Sequence, residues 1–172
     1  MVYDTYDSNE GMLTTVWGPP MWHTLHIISF NYPVNPTKKQ KQQYFDFYKS
    51  MQYVLPCGKC RKNLKNNLKK NPLTIKVFKN RHTLSLWVYD LHETINKMLG
   101  KDSGLSYEQV RETYEHFRSK CSNKKETNKE RGCVNALRGK KSKCVLKIVP
   151  QTKKCKTFQM DKQCRYTRKK RN

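Results

Sequence analysis

Cys57-Gly58-Lys59-Cys60 is the group of residues in this chain best equipped for chemistry. Two cysteines three apart at the start of a helix lie one turn from each other and can close a reducible disulfide. The N-terminal end of a helix carries partial positive charge. That charge favours thiolate over thiol, and thiolate is the nucleophile of disulfide exchange. Lys59, Arg61 and Lys62 push in the same direction, and Pro56 fixes the entry into the turn. The same spacing is also half of a zinc site, which needs two more ligands at short spacing. No second CxxC and no HxxxH run follows it. A thioredoxin-like domain would place strand-helix-strand units around the motif, whereas helical patterns lie on both sides of it here. The pattern favours a redox pair and leaves a structural pair open.

Three histidines accompany the cysteines. His23 and His26 fall on one predicted helix and His92 on another. An ordinary core histidine is the plain reading of each. Their neighbours add to it. Trp22 precedes His26 by one turn, and Trp87 lies one to two turns from His92 and Asn96 on a single helix. Such faces suit a pocket for a flat aromatic ligand with a few polar handles. Plain core is the competing reading of the aromatic stripes.

The elements that must position these residues read as helices. Trp17-Gly18-Pro19-Pro20 suits a helix start, because proline is tolerated in a first turn. Trp22, Leu25, His26, Ser29 and Phe30 then recur at helical spacing until Tyr32-Pro33 ends the run. A second helix is expected from about Thr37 to Val54, with Tyr44, Phe47, Tyr48 and Met51 as its apolar stripe. A third carries Cys57 and Cys60 in its first turn, continues through Leu64 and Leu68, and stops at Asn71-Pro72. A fourth spans roughly His82 to Leu99, with Leu84, Trp87, Leu91, Ile95 and Met98 inside and Gly100 as its C-terminal cap. A fifth opens on the capping box Ser106-Tyr107-Glu108-Gln109 and carries Val110, Tyr114 and Phe117. Weak strand signals occupy Leu73–Phe78 and Val145–Val149. The expected fold is all-α: an antiparallel four-helix bundle plus a short fifth helix.

Charge is unevenly distributed. The chain of 172 residues carries a net charge of +23, and the segment from Lys120 to Asn172 alone holds +16 of it. A folded domain over residues 11–120 and a basic, flexible tail over 121–172 are expected. The tail has no apolar periodicity. It holds Cys121, Cys133, Cys144, Cys155 and Cys164, and it is expected to attract polyanions non-specifically. The N-terminus lacks the basic start and apolar core of a signal peptide, and no apolar run is long enough to span a membrane. A cytoplasmic location without membrane contact is expected. Cytosolic disulfides are mostly catalytic or transient, so seven cysteines there are notable.

Together the motifs resemble those of the ERV/ALR family of FAD-linked sulfhydryl oxidases. The run from Trp17 through Trp22 and His26 to Pro33 resembles that family's first helix. Leu55-Pro56-Cys57-Gly58-Lys59-Cys60 is similar to its proximal redox centre, and the run from Trp87 through His92 and Asn96 to Lys101 to its signature helix. The three occur in family order. The compact form is most similar to the versions encoded by large cytoplasmic DNA viruses, which implies host cytoplasm or virion as the location.

The resemblance implies a bundle holding FAD at its mouth, usually as a homodimer. Protein dithiols would be the substrates and oxygen the acceptor, giving hydrogen peroxide. Cys57 would be the outer cysteine attacked by substrate and Cys60 the inner one facing the flavin. Gly18, Trp22, His26, Trp87, His92, Asn96, Leu99 and Lys101 fall on FAD-contacting positions, and no metal is implied. Two departures stand out. Glu93 occupies the position after the signature histidine where the family usually has asparagine. Ser106 stands where many members carry the first cysteine of a structural disulfide, which leaves Cys121 free or paired with a tail cysteine such as Cys133. The rival reading from another class is a non-enzymatic, basic, cysteine-rich protein that binds zinc or nucleic acid.

Overall fold

The computed structural model of the chain describes residues 10–120 and 132–165. They divide into two compact units, one ending at Gly104 and the next beginning at Leu105. The first unit contains α1 (Thr14–Phe30), α2 (Lys38–Val54), α3 (Gly58–Lys70), a short 3₁₀ segment (Ile75–Lys79) and α4 (Arg81–Met98). Helix α1 packs on α4, α2 packs on α3 and on the 3₁₀ segment, and α3 also touches α4.

Local chemistry sets the helix ends. Thr37 and Gln40 form a capping box at the start of α2, and Asn80 and Thr83 form one at the start of α4. Each box satisfies two backbone N–H groups that the helix itself leaves without acceptors. At the far end of α4, Gly100 adopts φ +65°. Its N–H donates to the Lys97 carbonyl at 3.1 Å, and the Lys101 N–H donates to that of Asn96 at 2.8 Å. This is a Schellman cap, as the glycine predicts.

Helix α1 departs from expectation. It begins at Thr14, one turn before the Trp17-Gly18-Pro19-Pro20 start, and both prolines lie inside it. The carbonyls that Pro19 and Pro20 cannot bond belong to Thr15 and Val16. Both are exposed, so water replaces the missing donors. The expected strand at Leu73–Phe78 is instead the 3₁₀ segment. Pro72 and the Asn80 cap confine it to a few residues, and among the described residues of this unit no strand lies alongside to pair with it. Val145–Val149 likewise forms no regular element, and Val145, Leu146 and Ile148 stand exposed. Met98, expected inside, is the last residue of α4 and is 45% exposed.

The core of the first unit gathers Leu25, Tyr32, Tyr48, Leu64, Phe78, Leu84, Trp87, Val88 and Leu91. Its phenols are satisfied. The Tyr32 hydroxyl donates to the Phe78 carbonyl and the Tyr48 hydroxyl to the Leu25 carbonyl, both at 2.9 Å. Burial pushes the Tyr48 phenol well above its ordinary range.

The second unit holds α5 (Tyr107–Glu115), capped by the predicted Ser106/Gln109 box. It also holds a two-residue antiparallel pair, β1 (Ser119–Lys120) with β2 (Asn135–Ala136). Phe117 meets Phe158 edge-on at 6.4 Å. Cys133 is disulfide-bonded, whereas Cys144, Cys155 and Cys164 are free thiols. The expectation for Cys121 lies outside the described residues.

Phe78 is fully buried, with its ring against those of Tyr32, Phe45 and Tyr48. Phe78→Ala should cost about 3–5 kcal/mol through lost transfer energy and the cavity left behind. Urea unfolding of the two proteins measures the difference.

Candidate redox and cofactor site

Cys57 and Cys60 form a disulfide, with Cα atoms 5.1 Å apart. Cys57 is the N-cap of α3 rather than a residue of its first turn, and its backbone is extended at φ −155°. Its sulfur accepts the Cys60 backbone N–H at 3.2 Å. The capping role is the reason this turn favours a thiolate: a helix N-terminus offers N–H groups that lack other acceptors. The Arg61 guanidinium donates to the Leu55 carbonyl at 2.5 Å and ties the turn to the end of α2.

The segment preceding α1 lies directly on this turn. The Met12 N–H donates to the Pro56 carbonyl at 2.8 Å, and the Trp17 indole N–H donates to the Met12 carbonyl at 3.0 Å. Gly11 allows the approach, since a Cβ there would stand 2.9 Å from the Pro56 oxygen and 3.3 Å from the Cys57 Cα. The Thr14 hydroxyl, at the start of α1, is 3.8 Å from the Cys60 sulfur.

From Thr14 one face of α1 leads away from the disulfide. Thr14, Gly18, Trp22 and His26 succeed each other at four-residue intervals, so they share that face. At its far end the His26 Nε2 and His92 Nδ1 are 3.0 Å apart, one donating and the other accepting. Trp22 stacks on His92 with ring centroids 3.9 Å apart and planes 6° from parallel.

Both imidazoles are held neutral. Burial, then the charges of His92 and His23, brings His26 down to about 3. Burial brings His92 down to about 4, with Glu93 opposing the shift and Lys101 adding to it. Glu93 has a second effect, because its carboxylate accepts the Asn96 amide N–H at 3.0 Å.

The predicted residues therefore fall into three groups. Trp22, His26 and His92 touch one another. Asn96, Leu99 and Lys101 lie at the C-terminal end of α4, where Leu99 and Lys101 are exposed. Trp87 is 9% exposed and meets Tyr48 edge-on in the core, its indole N–H aimed at the Asn71 carbonyl at 3.4 Å. Gly18 is buried, yet an added Cβ would meet only the Thr14 methyl, at 3.9 Å. Packing within the chain does not demand glycine there, and the open space suits a flat ligand laid along α1. Aromatic faces, neutral imidazoles and an exposed lysine form a donor set that fits a dinucleotide. Among the described residues, no three His, Cys, Asp or Glu side chains converge as metal ligands would. Reading the motifs overlooked Gly11, Met12 and Thr14. Only the Met-Leu-Thr run ahead of Trp17, continuing the helical register backwards, hints at them.

A helical domain with a disulfide at a helix N-terminus and a tryptophan-histidine cluster further along the adjoining helix defines a class, the small thiol-disulfide redox proteins. Comparison with known proteins agrees. The Erv1/Alr family model matches residues 19–118. The probable FAD-linked sulfhydryl oxidase of Acanthamoeba polyphaga mimivirus is 41% identical over 99 residues, covering 58% of this chain and 68% of that protein. The FAD-linked sulfhydryl oxidase of African swine fever virus (isolate Tick/Malawi/Lil 20-1/1983) is 31% identical over 99 residues, covering 58% and 80%. Among solved structures, the yeast Erv1 core aligns with TM-score 0.54 at 23% identity, over 66% of this chain and 92% of that one. The FAD binding domain of Saccharomyces cerevisiae Erv1 aligns with TM-score 0.51 at 25% identity, over 56% and 89%. The chain belongs to the Erv1/Alr family.

Two predictions test this geometry. In the unfolded chain both imidazoles titrate near 6.5. Below that pH the unfolded state binds more protons than the folded one, so acidification costs stability. The loss should approach about 1.4 kcal/mol per pH unit for each imidazole. Stability is full above pH 6.5 and falls as the pH drops towards about 4 and then about 3, the values in the folded state. Urea midpoints measured across this window should decline less steeply in His26→Gln than in the unsubstituted protein. Separately, Gly11→Ala should lift the preceding segment off Pro56. Faster hydrogen exchange at the Met12 amide and a loss of about 1 kcal/mol would report the broken bond; unchanged protection would show that the segment tolerates the extra carbon.

Proposed function

We propose that Cys57 and Cys60 oxidise the dithiols of protein substrates and deliver the electron pair to FAD bound along α1 and α4. The chain is a thiol oxidase, and FAD is its cofactor. The observation that carries the routing is the Cys57–Cys60 disulfide at the head of α3, with Thr14 of α1 against the Cys60 sulfur.

A substrate thiolate attacks the Cys57 sulfur, the Cys57–Cys60 bond breaks, and the pair leaves with Cys60 as thiolate. The second substrate thiolate then attacks the mixed disulfide. This releases oxidised substrate and leaves Cys57 and Cys60 reduced by two electrons. The N-cap geometry assists, since the Cys60 N–H that now contacts the Cys57 sulfur also stabilises that sulfur as a thiolate leaving group. The Thr14 hydroxyl stands ready to donate to the Cys60 thiolate. When bound, FAD would supply the acceptor for the electron pair that Cys60 gives up, with oxygen as the final oxidant, reduced to hydrogen peroxide.

The cofactor-facing roles rest on the donor set described above. Trp22 and His92 offer flat faces, and the neutral His26–His92 pair offers hydrogen bonds without charge. Lys101 supplies a cation for a pyrophosphate, while Gly18 and Leu99 bound the space. Asn96 reaches the ligand only as far as its bond to Glu93 permits. Trp87, packed edge-on against Tyr48, completes the proposed FAD-contacting set from the core side of α4. Thr14 and Trp22 are eight residues apart, or about 12 Å along the helix axis, so the face suits an elongated ligand with one end near the disulfide. The family match over residues 19–118 supports reading residues 11–120 as the oxidase domain, a four-helix bundle followed in sequence by α5, and 121–172 as a basic appendage. Homodimer formation and polyanion contact through that appendage belong to the same proposal.

Purified protein should be yellow and should oxidise dithiothreitol with consumption of oxygen. Cys57→Ser and Cys60→Ser should each lower that rate at least about a thousandfold, because neither exchange step can be completed by one sulfur. Substantial turnover in either variant would overturn the routing, and a colourless protein would favour the non-enzymatic alternative.

A further inference from the structure

We propose that the lysine face of α3 docks acidic segments of the protein substrates beside the disulfide. The inference rests on the thiol oxidase reading and narrows its substrate class.

Helix α3 contains six cations and no acid in thirteen residues. Lys59, Lys62, Lys65, Lys69 and Lys70 are all exposed. At 100° per residue they fall within an arc of about 140°. The opposite side carries buried Leu64 and Asn67 and half-buried Cys60 and Leu68. Among the described residues, none of these five lysines makes an ion pair; Lys65 instead lies over the Tyr53 ring at 5.1 Å. That ring is 60% exposed and extends the surface onto the end of α2.

This arrangement weakens the helix that carries it. Lys59 and Lys62, Lys62 and Lys65, and Lys65 and Lys69 are like charges one turn apart, and each pair is repulsive. Lys59 and Lys62 also oppose the helix dipole in the first turn. The Tyr53 ring under Lys65 and the last-turn positions of Lys69 and Lys70 recover part of this cost, but no ion pair among the described residues neutralises the face, so its complement is anionic. The redox pair heads the same helix, so a segment docked on these lysines can bring its dithiol round the helix start to Cys57. A carboxylate-bearing segment next to the substrate dithiol is the partner that meets both demands. From Lys59 to Lys70 the face is about 16 Å long, which an extended peptide spans with about five residues. Substrates with several Asp or Glu residues within that reach of their dithiol should be captured faster by electrostatic attraction.

The test uses two peptides, each with one dithiol, identical except that the flanking residues are Glu in one and Lys in the other. Rates are divided by each protein's own rate with dithiothreitol. At low salt, kcat/KM for the Glu peptide should exceed that for the Lys peptide by at least about tenfold. At about 1 M salt the gap should shrink to about twofold or less. In the variant carrying Lys62→Glu, Lys65→Glu and Lys69→Glu the order should invert. The salt response of the unsubstituted protein reads the same preference without relying on the variant's folding. Equal kcat/KM for the two peptides, with dithiothreitol still oxidised, would overturn the proposal. If dithiothreitol is not oxidised, the thiol oxidase reading fails instead. Docking is then decided by fluorescence anisotropy with Ser replacing Cys in both peptides: selective binding of the Glu form supports the face, and absence of binding sinks it. A single-stranded oligonucleotide that binds the unsubstituted protein but not the triple variant, while peptide preference survives in that variant, would assign the face to polyanions and overturn the proposal.

Discussion

The hydrogen bond between His26 and His92 is the constraint around which the first unit is arranged. Two imidazoles 3.0 Å apart in a buried setting cannot both carry charge, and one must donate while the other accepts. That requirement, together with the core residues packed between them, sets the azimuth of α1 relative to α4. Once it is fixed, Trp22 stacks on His92, and Thr14 at the other end of the same α1 face arrives at the Cys60 sulfur. The redox turn and the aromatic cluster are thus held in mutual register by a single helix, with a polar contact at each end.

Parts of this arrangement were legible in the sequence because they obey local rules. Gly100 ends α4 for the reason any left-handed cap does, and Ser106 with Gln109 caps α5 within four residues. Cys57 and Cys60 announce a turn of helix by their spacing. The misreadings were tertiary in origin. A proline pair ordinarily marks a helix start, but α1 runs a turn further back because its exposed first carbonyls do without those two donors. Leu73–Phe78 has the composition of a strand, yet a strand needs a neighbour, and the core needed the Phe78 ring instead. Gly11 and Thr14 were invisible because their partners lie some forty-five residues away, at Pro56 and Cys60.

Trp87 shows where pattern and position part. Its five-residue spacing from His92 turns it about 140° round α4, away from the contact with His26. Burial and the edge contact with Tyr48 place its ring in the core. Glu93 works the other way. Its carboxylate both draws on the Asn96 amide and opposes the neutralisation of His92, so one substitution bears on two neighbours at once.

The hydrogen bond from Met12 to Pro56 also bears on how the protein can be dissected. The family match begins at residue 19, so an excision drawn along the border of sequence similarity would discard Gly11, Met12 and Thr14. It would keep both cysteines, both histidines and Trp22 while stripping the redox turn of its outer support. A fragment that keeps this support therefore starts ahead of the similarity, at Gly11 or earlier.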